Sequence, residues 1–211
     1  MKAEVHDEEV IRPYTPISTN ALLGCFDLLI KNYGSQGLLS RYLHEMKVGD
    51  YLAFKHIPLN VKIQVPFSQK RVVMIAGGTG ITPMIQVLHA ILGGDSPDVE
   101  NVTLLFGNQI HDEILAKNLL EQWADDYSDR FLLVHALSNE SNVPNKSSYH
   151  RGYIDTDLIR KHVPTIDDDD TLVLVCGPPP MYESLCGPRD DTELTGVLKE
   201  LGCSAENVYK F

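Results

Sequence analysis

A chain of 211 residues, 43% of them hydrophobic, has room for one large domain or two small ones, and its composition excludes global disorder. Acidic residues outnumber basic ones 29 to 18, and the formal net charge of −11 argues against a nucleic-acid binder, which needs clustered Lys and Arg. Four cysteines without a CxxC pair indicate neither a zinc ribbon nor a disulfide framework, so no metal site is expected.

The charge is unevenly spread. Residues 1–30 hold two bases and five acids, whereas residues 31–71 hold seven bases (Lys31, Arg41, Lys47, Lys55, Lys62, Lys70, Arg71) and only two acids. Nine bases and 22 acids follow in 72–211. That asymmetry suggests two domains, the basic stretch being either a docking surface or a solvated face. No apolar run approaches the roughly 18 residues of a membrane span, so no transmembrane segment is expected and the chain as written is placed in the cytoplasm.

Taken in chain order, FDLLIK (26–31), YLAFKH (51–56) and VKIQV (61–65) read as strands, with one short helix over 39–46. This is a mostly β unit. Residues 66–70 (PFSQK) form a linker, which sets domains at 1–66 and 67–211. Beyond it the pattern changes to buried strands RVVMIA (71–76), VTLLF (102–106), FLLVHA (131–136) and TLVLVC (171–176), alternating with helices over 83–92, 112–127 and 155–162. Such alternation predicts a parallel sheet covered by helices; 138–148 and 167–170 read as loops.

Four segments carry chemistry. Ala76-Gly77-Gly78-Thr79-Gly80-Ile81-Thr82-Pro83 follows a strand and opens a helix, with Thr82 as a candidate cap and Pro83 in the first turn. Its glycines permit a sharp turn and close backbone approach to a phosphate, although a tight turn alone also fits. It is neither a GxGxxG fingerprint nor a Walker A loop. Cys176-Gly177-Pro178-Pro179-Pro180-Met181 ends another strand, where α/β sheets bind ligands, and its prolines read as a stiff loop. Arg12-Pro13-Tyr14-Thr15-Pro16-Ile17-Ser18 joins a guanidinium for pyrophosphate to an aromatic ring that can stack on a planar group. Gly37-Leu38-Leu39-Ser40 supplies a second helix N-terminus.

In this order, and with a final Phe211, these motifs resemble the NADH–cytochrome b5 reductase family of the ferredoxin–NADP reductase superfamily. The resemblance runs from about Val10 to Phe211 and includes LLFGNQ (104–109) and Gly152 to Ile154. It implies an α/β plus all-β, ferredoxin-reductase-like fold: a partial antiparallel flavin-binding β-barrel in 1–66, lacking the family's early strands, then a parallel-sheet NADH-binding domain. Full-length members can be anchored to the endoplasmic reticulum or the mitochondrial outer membrane.

The resemblance also implies cofactors FAD and NADH. For FAD, Arg12 would hold the pyrophosphate, Tyr14 would lie against the isoalloxazine and Thr15 near its N5, with Pro13 and Ser18 in the same segment. Leu29 and Lys31 fall in the flavin-contacting strand, the amides of Leu38, Leu39 and Ser40 would bind the phosphates, and Thr82 would reach the flavin. For NADH the matching positions are Lys31, Gly78, Thr79, Gln109, Cys176, Gly177, Pro178 and Met181, with Cys176 a positioning group near the nicotinamide. Tyr14, Thr15 and Cys176 thus form the implied catalytic set. Hydride would pass from NADH to FAD and single electrons onward to a heme protein, cytochrome b5 foremost, with no acid–base pair; His44, His56, His89, His111 and His135 read as structural or surface residues. Where the family often has an acidic residue that discriminates for the free 2′-hydroxyl this sequence has Ser138-Asn139-Glu140, so Ser138 departs from that pattern; no Lys/Arg pair follows directly to neutralise a 2′-phosphate, though Lys146 and Arg151 lie downstream, and NADH is expected. Lys55-His56-Ile57-Pro58 departs from the family's Gly-Pro at the adenine end of FAD. Two rival readings are a dinucleotide-binding fragment unable to retain FAD and the reductase portion of a nitrate reductase.

Overall fold

The structure is a computed structural model that describes residues 2–5, 8–55 and 65–211. It divides into two compact units, Met1–Gln64 and Val65–Phe211. The strand expected over 61–65 lies, but for Val65, outside the described residues, as do His56, Ile57, Pro58 and Lys62.

In the first unit, β1 (Lys2–Val5) and β2 (Glu8–Ile11) form an antiparallel pair. The helix α1 (Leu38–Glu45) starts one residue ahead of the expected 39–46. Val10 and Leu39 are buried together, with Tyr14, Tyr42, Leu43 and Leu52 packed around them. The segment 26–31 is not the expected strand: it makes a single antiparallel bridge, Pro16 to Leu28, supported by the Ile17 N–H donating to the Asp27 carbonyl at 2.9 Å. A strand exists only where a neighbour continues the ladder, and Pro16 brings no N–H to extend this one. Residues 51–55 likewise form no continuous strand.

The second unit is a six-stranded parallel sheet in the order β6-β5-β4-β3-β7-β8. The strands are β3 (Arg71–Gly77), β4 (Asn101–Asn108), β5 (Phe131–Leu137), β6 (Tyr149–Arg151), β7 (Thr171–Cys176) and β8 (Val208–Lys210). The four long strands coincide with the apolar runs because a parallel sheet buries both faces, so alternation gives way to continuous hydrophobicity. Val73, Ile75, Leu105, Val134, Val173 and Val175 fill one face with side chains of α4 (Thr156–His162), α5 (Pro179–Leu185) and α6 (Gly196–Glu200). The alternate residues Val72, Met74 and Ala76 are equally buried. On the remaining elements, α2 (Ile81–Leu92) contacts β3 and α3 (Lys117–Asp126) contacts β5.

Three expectations for this unit need correction. The helix expected over 112–127 breaks into a 3-10 turn, His111–Glu113, and α3, because Ile114 is extended and Ala116 takes φ 53°, a left-handed backbone no helix passes through. The prolines after Gly177 do not make a loop. Pro178 is the N-cap, and Pro179 and Pro180 open α5, where a missing N–H costs nothing since first-turn amides have no helical acceptor. Thr82 caps no helix: α2 begins at Ile81 behind a 3-10 turn, Gly78–Gly80, and the buried Thr82 hydroxyl donates to the Thr79 carbonyl at 3.2 Å. No helix among the described residues is long and apolar enough to cross a membrane.

Candidate functional site

The chain leaves β3 toward β4, β5 and β6 on one side and returns to β7 on the other, so the strand order reverses between β3 and β7. Ligands of open α/β sheets bind outside the carboxyl ends of the strands at such a point. Ala76 pairs with Cys176 across it, which sets the Gly77-Gly78-Thr79-Gly80 and Cys176-Gly177-Pro178 segments side by side. A Cβ on Gly77 would meet Met181 Sδ at 2.6 Å and Pro178 Cδ at 2.9 Å. One on Gly177 would meet the same sulfur at 2.5 Å. A side chain at either position would have to displace Met181, and at Gly77 the Pro178 ring as well. Gly78 differs: its φ of 52° is left-handed, yet nothing lies within 4 Å of where its Cβ would be, so open space adjoins the turn.

Of the residues implied for NADH, Gly78, Thr79, Cys176, Gly177, Pro178 and Met181 therefore gather on one edge of one sheet. Gln109 follows β4 on the same edge, exposed, its carbonyl accepting from the Asn139 N–H at 2.8 Å. Beside it, Asn108 keeps both amide atoms buried without a hydrogen-bond partner among the described residues, a polar group that protein alone leaves unsatisfied. In the loop after β5, the Glu140 carboxylate accepts the backbone N–H groups of His111 (3.1 Å) and Asn142 (3.3 Å), bonds that hold its carboxyl below the usual range. A cleft of about 300 Å³ opens at the opposite, amino-terminal edge among Arg71, Asn101, Arg130 and His162; none of the motif residues lines it.

Burial pushes the Cys176 thiol up, against the opposing influence of the Tyr182 hydroxyl and the Arg189 charge. At neutral pH the group is a thiol, suited to contact with a nicotinamide and unsuited to nucleophilic attack. Tyr182 itself was not marked by the sequence motifs. It is 3% exposed, and its hydroxyl donates to the Phe211 carbonyl at 2.9 Å.

In the first unit, Arg12 follows β2 and donates from Nη1 to the Ile11 carbonyl at 2.8 Å. Burial raises the half-buried Tyr14 phenol, while Arg12 nearby lowers it. Ser18 Oγ accepts the Asp27 N–H at 2.9 Å, so this hydroxyl ties the 12–18 segment to the stretch carrying Leu29 and Lys31. The Lys31 ammonium stands 5.8 Å from the Tyr33 ring centroid. Further on, Arg41 N–H to the Gly37 carbonyl is the first intrahelical bond of α1, leaving the amides of Leu38, Leu39 and Ser40 ahead of the ladder. Ser40 Oγ donates back to the Gly37 carbonyl at 3.1 Å, and no side chain caps the helix. A Cβ on Gly37 would lie 2.2 Å from that oxygen. An uncapped N-terminus held open by a glycine fits an anionic group.

Comparison with known proteins follows the same division. A family model described as an oxidoreductase FAD-binding domain matches residues 1–59, and one described as an oxidoreductase NAD-binding domain matches residues 74–187. The chain is 41% identical over 209 residues to an NADH-cytochrome b5 reductase 2 of Neurospora crassa, covering 97% of this chain and 59% of that protein. Against an NADH-cytochrome b5 reductase 2 of Aspergillus fumigatus the identity is 39%, covering 100% of this chain and 64% of that one. The chain thus spans about six-tenths of the length of these relatives. Among solved structures, the cytochrome b5 reductase domain of Ulva prolifera nitrate reductase superposes with a TM-score of 0.77 at 30% identity, covering all of this chain and 82% of that domain.

Proposed function

Because the chain belongs to the cytochrome b5 reductase family of FAD- and NAD-binding oxidoreductases, we propose that it takes hydride from NADH and passes single electrons to a heme protein of the cytochrome b5 class. The observation that carries this reading is the glycine-only approach of the 77–80 and 176–178 segments at the reversal point of the sheet. FAD, when bound, supplies a two-electron acceptor that can be discharged one electron at a time.

The chain's own residues bind and orient. Arg12 and the amides of Leu38, Leu39 and Ser40 hold a pyrophosphate by charge and by free N–H groups. Tyr14 and Thr15 would flank the isoalloxazine, with Pro13 and Ser18 stiffening their segment and Leu29 and Lys31 of the same unit adding contacts. Gly78 and Thr79 receive the NADH phosphates, Gln109 a more distant part of the dinucleotide, and Gly177, Pro178 and Met181 wall the nicotinamide beside the neutral Cys176 thiol. The fixed carboxylate of Glu140 disfavours a 2′-phosphate, which selects NADH over NADPH.

The test is an absorbance spectrum of the purified protein before and after incubation with FAD, followed by NADH-dependent reduction of ferricyanide and of cytochrome b5. A flavin spectrum and both activities are expected. Protein that binds NADH yet takes up no FAD is a dinucleotide-binding fragment, and this reading fails. The similarity to the nitrate reductase domain favours a second acceptor, a heme domain on the same polypeptide. Heme and molybdenum domains encoded upstream in the gene decide for it.

A further inference from the structure

We propose that His111 and Tyr149 are positioning residues for coenzyme choice: the stack of their rings fixes the His111 N–H, and that N–H holds the Glu140 carboxylate in the place from which it rejects a 2′-phosphate. This rests on the reading above that Glu140 selects NADH over NADPH.

A surface carboxylate that rotates freely is solvated and screened, so it discriminates weakly; one held by backbone N–H groups keeps its charge in one place. Glu140 is held at both oxygens. Oε1 accepts from the Asn142 N–H at 3.3 Å, a local bond that travels with the loop after β5. Oε2 accepts from the His111 N–H at 3.1 Å, and this bond ties the carboxylate to the segment that follows β4, 29 residues earlier. The two segments run side by side up to this point, with the Ser138 N–H donating to the Asn108 carbonyl at 3.0 Å and the Asn139 N–H to that of Gln109 at 2.8 Å. Where the carboxylate stands therefore depends on where the His111 amide stands.

That amide belongs to the short 3-10 turn His111–Glu113, whose own backbone bonds are long: the Glu113 N–H to the Ile110 carbonyl and the Ile114 N–H to the His111 carbonyl, each 3.2 Å. What holds the turn from outside is the His111 ring. It stacks on Tyr149 with centroids 5.9 Å apart and planes at 28°, while its Nδ1 stands 3.5 Å from Asp112 Oδ1. Tyr149 is a firm platform. It lies on β6, its ring meets the buried His135 ring at 5.0 Å, and its hydroxyl donates to Glu121 Oε1 at 2.9 Å. The other Glu121 oxygen accepts from the Lys117 ammonium at 3.0 Å, so the platform is fastened to α3. A stack that served packing alone would stabilise the domain and leave the choice of coenzyme untouched, which makes the two roles separable.

The experiment measures binding of NAD+ and NADP+ to the purified chain by calorimetry in wild type, Glu140→Gln, His111→Ala and the double variant. Wild type is expected to prefer NAD+. Glu140→Gln is expected to narrow that preference about tenfold and His111→Ala about threefold, in both cases through tighter NADP+ binding. In the Glu140→Gln background, His111→Ala is expected to add almost nothing. His111→Phe keeps a ring for the stack without the imidazole nitrogens and is expected to recover the wild-type preference, whereas Tyr149→Phe keeps the stack, releases the platform from Glu121 and gives a smaller narrowing. An unchanged preference in His111→Ala beside a changed one in Glu140→Gln, equal narrowing in both backgrounds, or no recovery in His111→Phe overturns the proposal. A wild-type protein that shows no preference, or binds neither coenzyme, defeats the functional reading instead. NMR titration of the Glu140 carboxyl then decides whether the stack places it: a move up toward the ordinary carboxylate range in His111→Ala, reversed in His111→Phe, supports the placement, and an unmoved titration overturns it.

Discussion

Gly80 and Cys176 meet backbone to backbone: a Cβ on Gly80 would lie 2.1 Å from the Cys176 carbonyl oxygen and 2.5 Å from its carbonyl carbon. Neither atom can withdraw, since Cys176 is paired to Ala76 in the sheet and Gly80 caps α2. Gly80 has φ −62°, so the constraint is steric and owes nothing to backbone freedom. Gly80→Ala is therefore expected to cost about 1–3 kcal/mol by overpacking and to weaken NADH binding by parting the two loops. Gly78→Ala meets no atom and bears only the left-handed backbone penalty, about 1 kcal/mol. Urea denaturation and NADH titration of both variants check the order; a Gly78 variant worse than the Gly80 variant in stability would contradict it.

A second glycine argument concerns the flavin side. With its Cβ 2.2 Å from Ser40 Oγ and 2.7 Å from Tyr33 Cβ, Gly37→Ala must push Ser40 or Tyr33 aside and so disturb the open amides at the start of α1. Ser40→Ala removes the 3.1 Å bond to the Gly37 carbonyl, worth about 1 kcal/mol, and the long 3.5 Å bond that Ser40 Oγ accepts from the Tyr33 N–H, and leaves the amides in place. FAD retention, followed by absorbance after gel filtration, is expected to fall sharply in the first variant and slightly in the second. Equal retention in both would detach α1 from the cofactor.

How far this could be read from the sequence depends on the kind of interaction. The strands at 71–76, 102–106, 131–136 and 171–176 are legible because burial on both faces writes an uninterrupted apolar run, and the two glycine segments are legible because they end such runs. β6 and β8 are three-residue edges, too short for any period. The 26–31 run has the composition of a strand, but its ladder depends on partners elsewhere in the chain. The anchoring of Tyr182 is invisible for a similar reason: the carbonyl its hydroxyl meets is 29 residues away. His135, one of several histidines without a motif, proves to be fully buried, which its position in FLLVHA permits but does not demand.

That histidine makes the stability depend on acid. Burial lowers the His135 pKa to about 4; the Glu121 carboxylate opposes the shift, and Lys117 and His111 add to it. The groups around it are Glu121, whose Oε1 is 3.9 Å from Nε2, Lys117 on the same helix, Tyr149 on β6 with its ring 5.0 Å away, and His111 stacked on Tyr149. An unfolded histidine takes its proton near pH 6.5, while the folded one resists until about 4. Stability is thus fully present above pH 6.5 and is lost as pH falls from 6.5 toward 4, by about 3 kcal/mol. Glu121, held below the usual carboxylate range by Lys117 and Tyr149 despite its burial, acts in the same direction at lower pH. Neither ring nitrogen of His135 has a hydrogen-bond partner among the described residues, so His135→Leu is expected to be neutral or stabilising at pH 7.5 and to flatten the decline toward pH 5. Urea denaturation at the two pH values measures both effects; an unchanged slope in the variant would assign the acid sensitivity elsewhere.

The basic stretch 31–71 is less positive at its surface than its count of seven suggests. Arg41 is paired with Glu45 at 2.8 Å, and Arg71, which belongs to the second unit, with Asp168 at 2.7 Å. Lys31 lies over Tyr33, and Lys62 is outside the described residues. Lys47 and Lys55 on the first unit, and Lys70 on the second, are exposed with no ion-pair partner among the described residues, and the first two are candidates to orient an acidic heme protein. Steering of this kind raises encounter rates and is screened over about 8 Å at physiological salt. The pair Lys47→Glu and Lys55→Glu is therefore expected to slow cytochrome b5 reduction about tenfold at low ionic strength and to abolish its decline with added salt. Flavin reduction by NADH, measured in a single turnover, is expected to be unaffected, because that step involves no protein encounter. A cytochrome rate unchanged at low salt would make these lysines part of a solvated face and move the docking surface elsewhere.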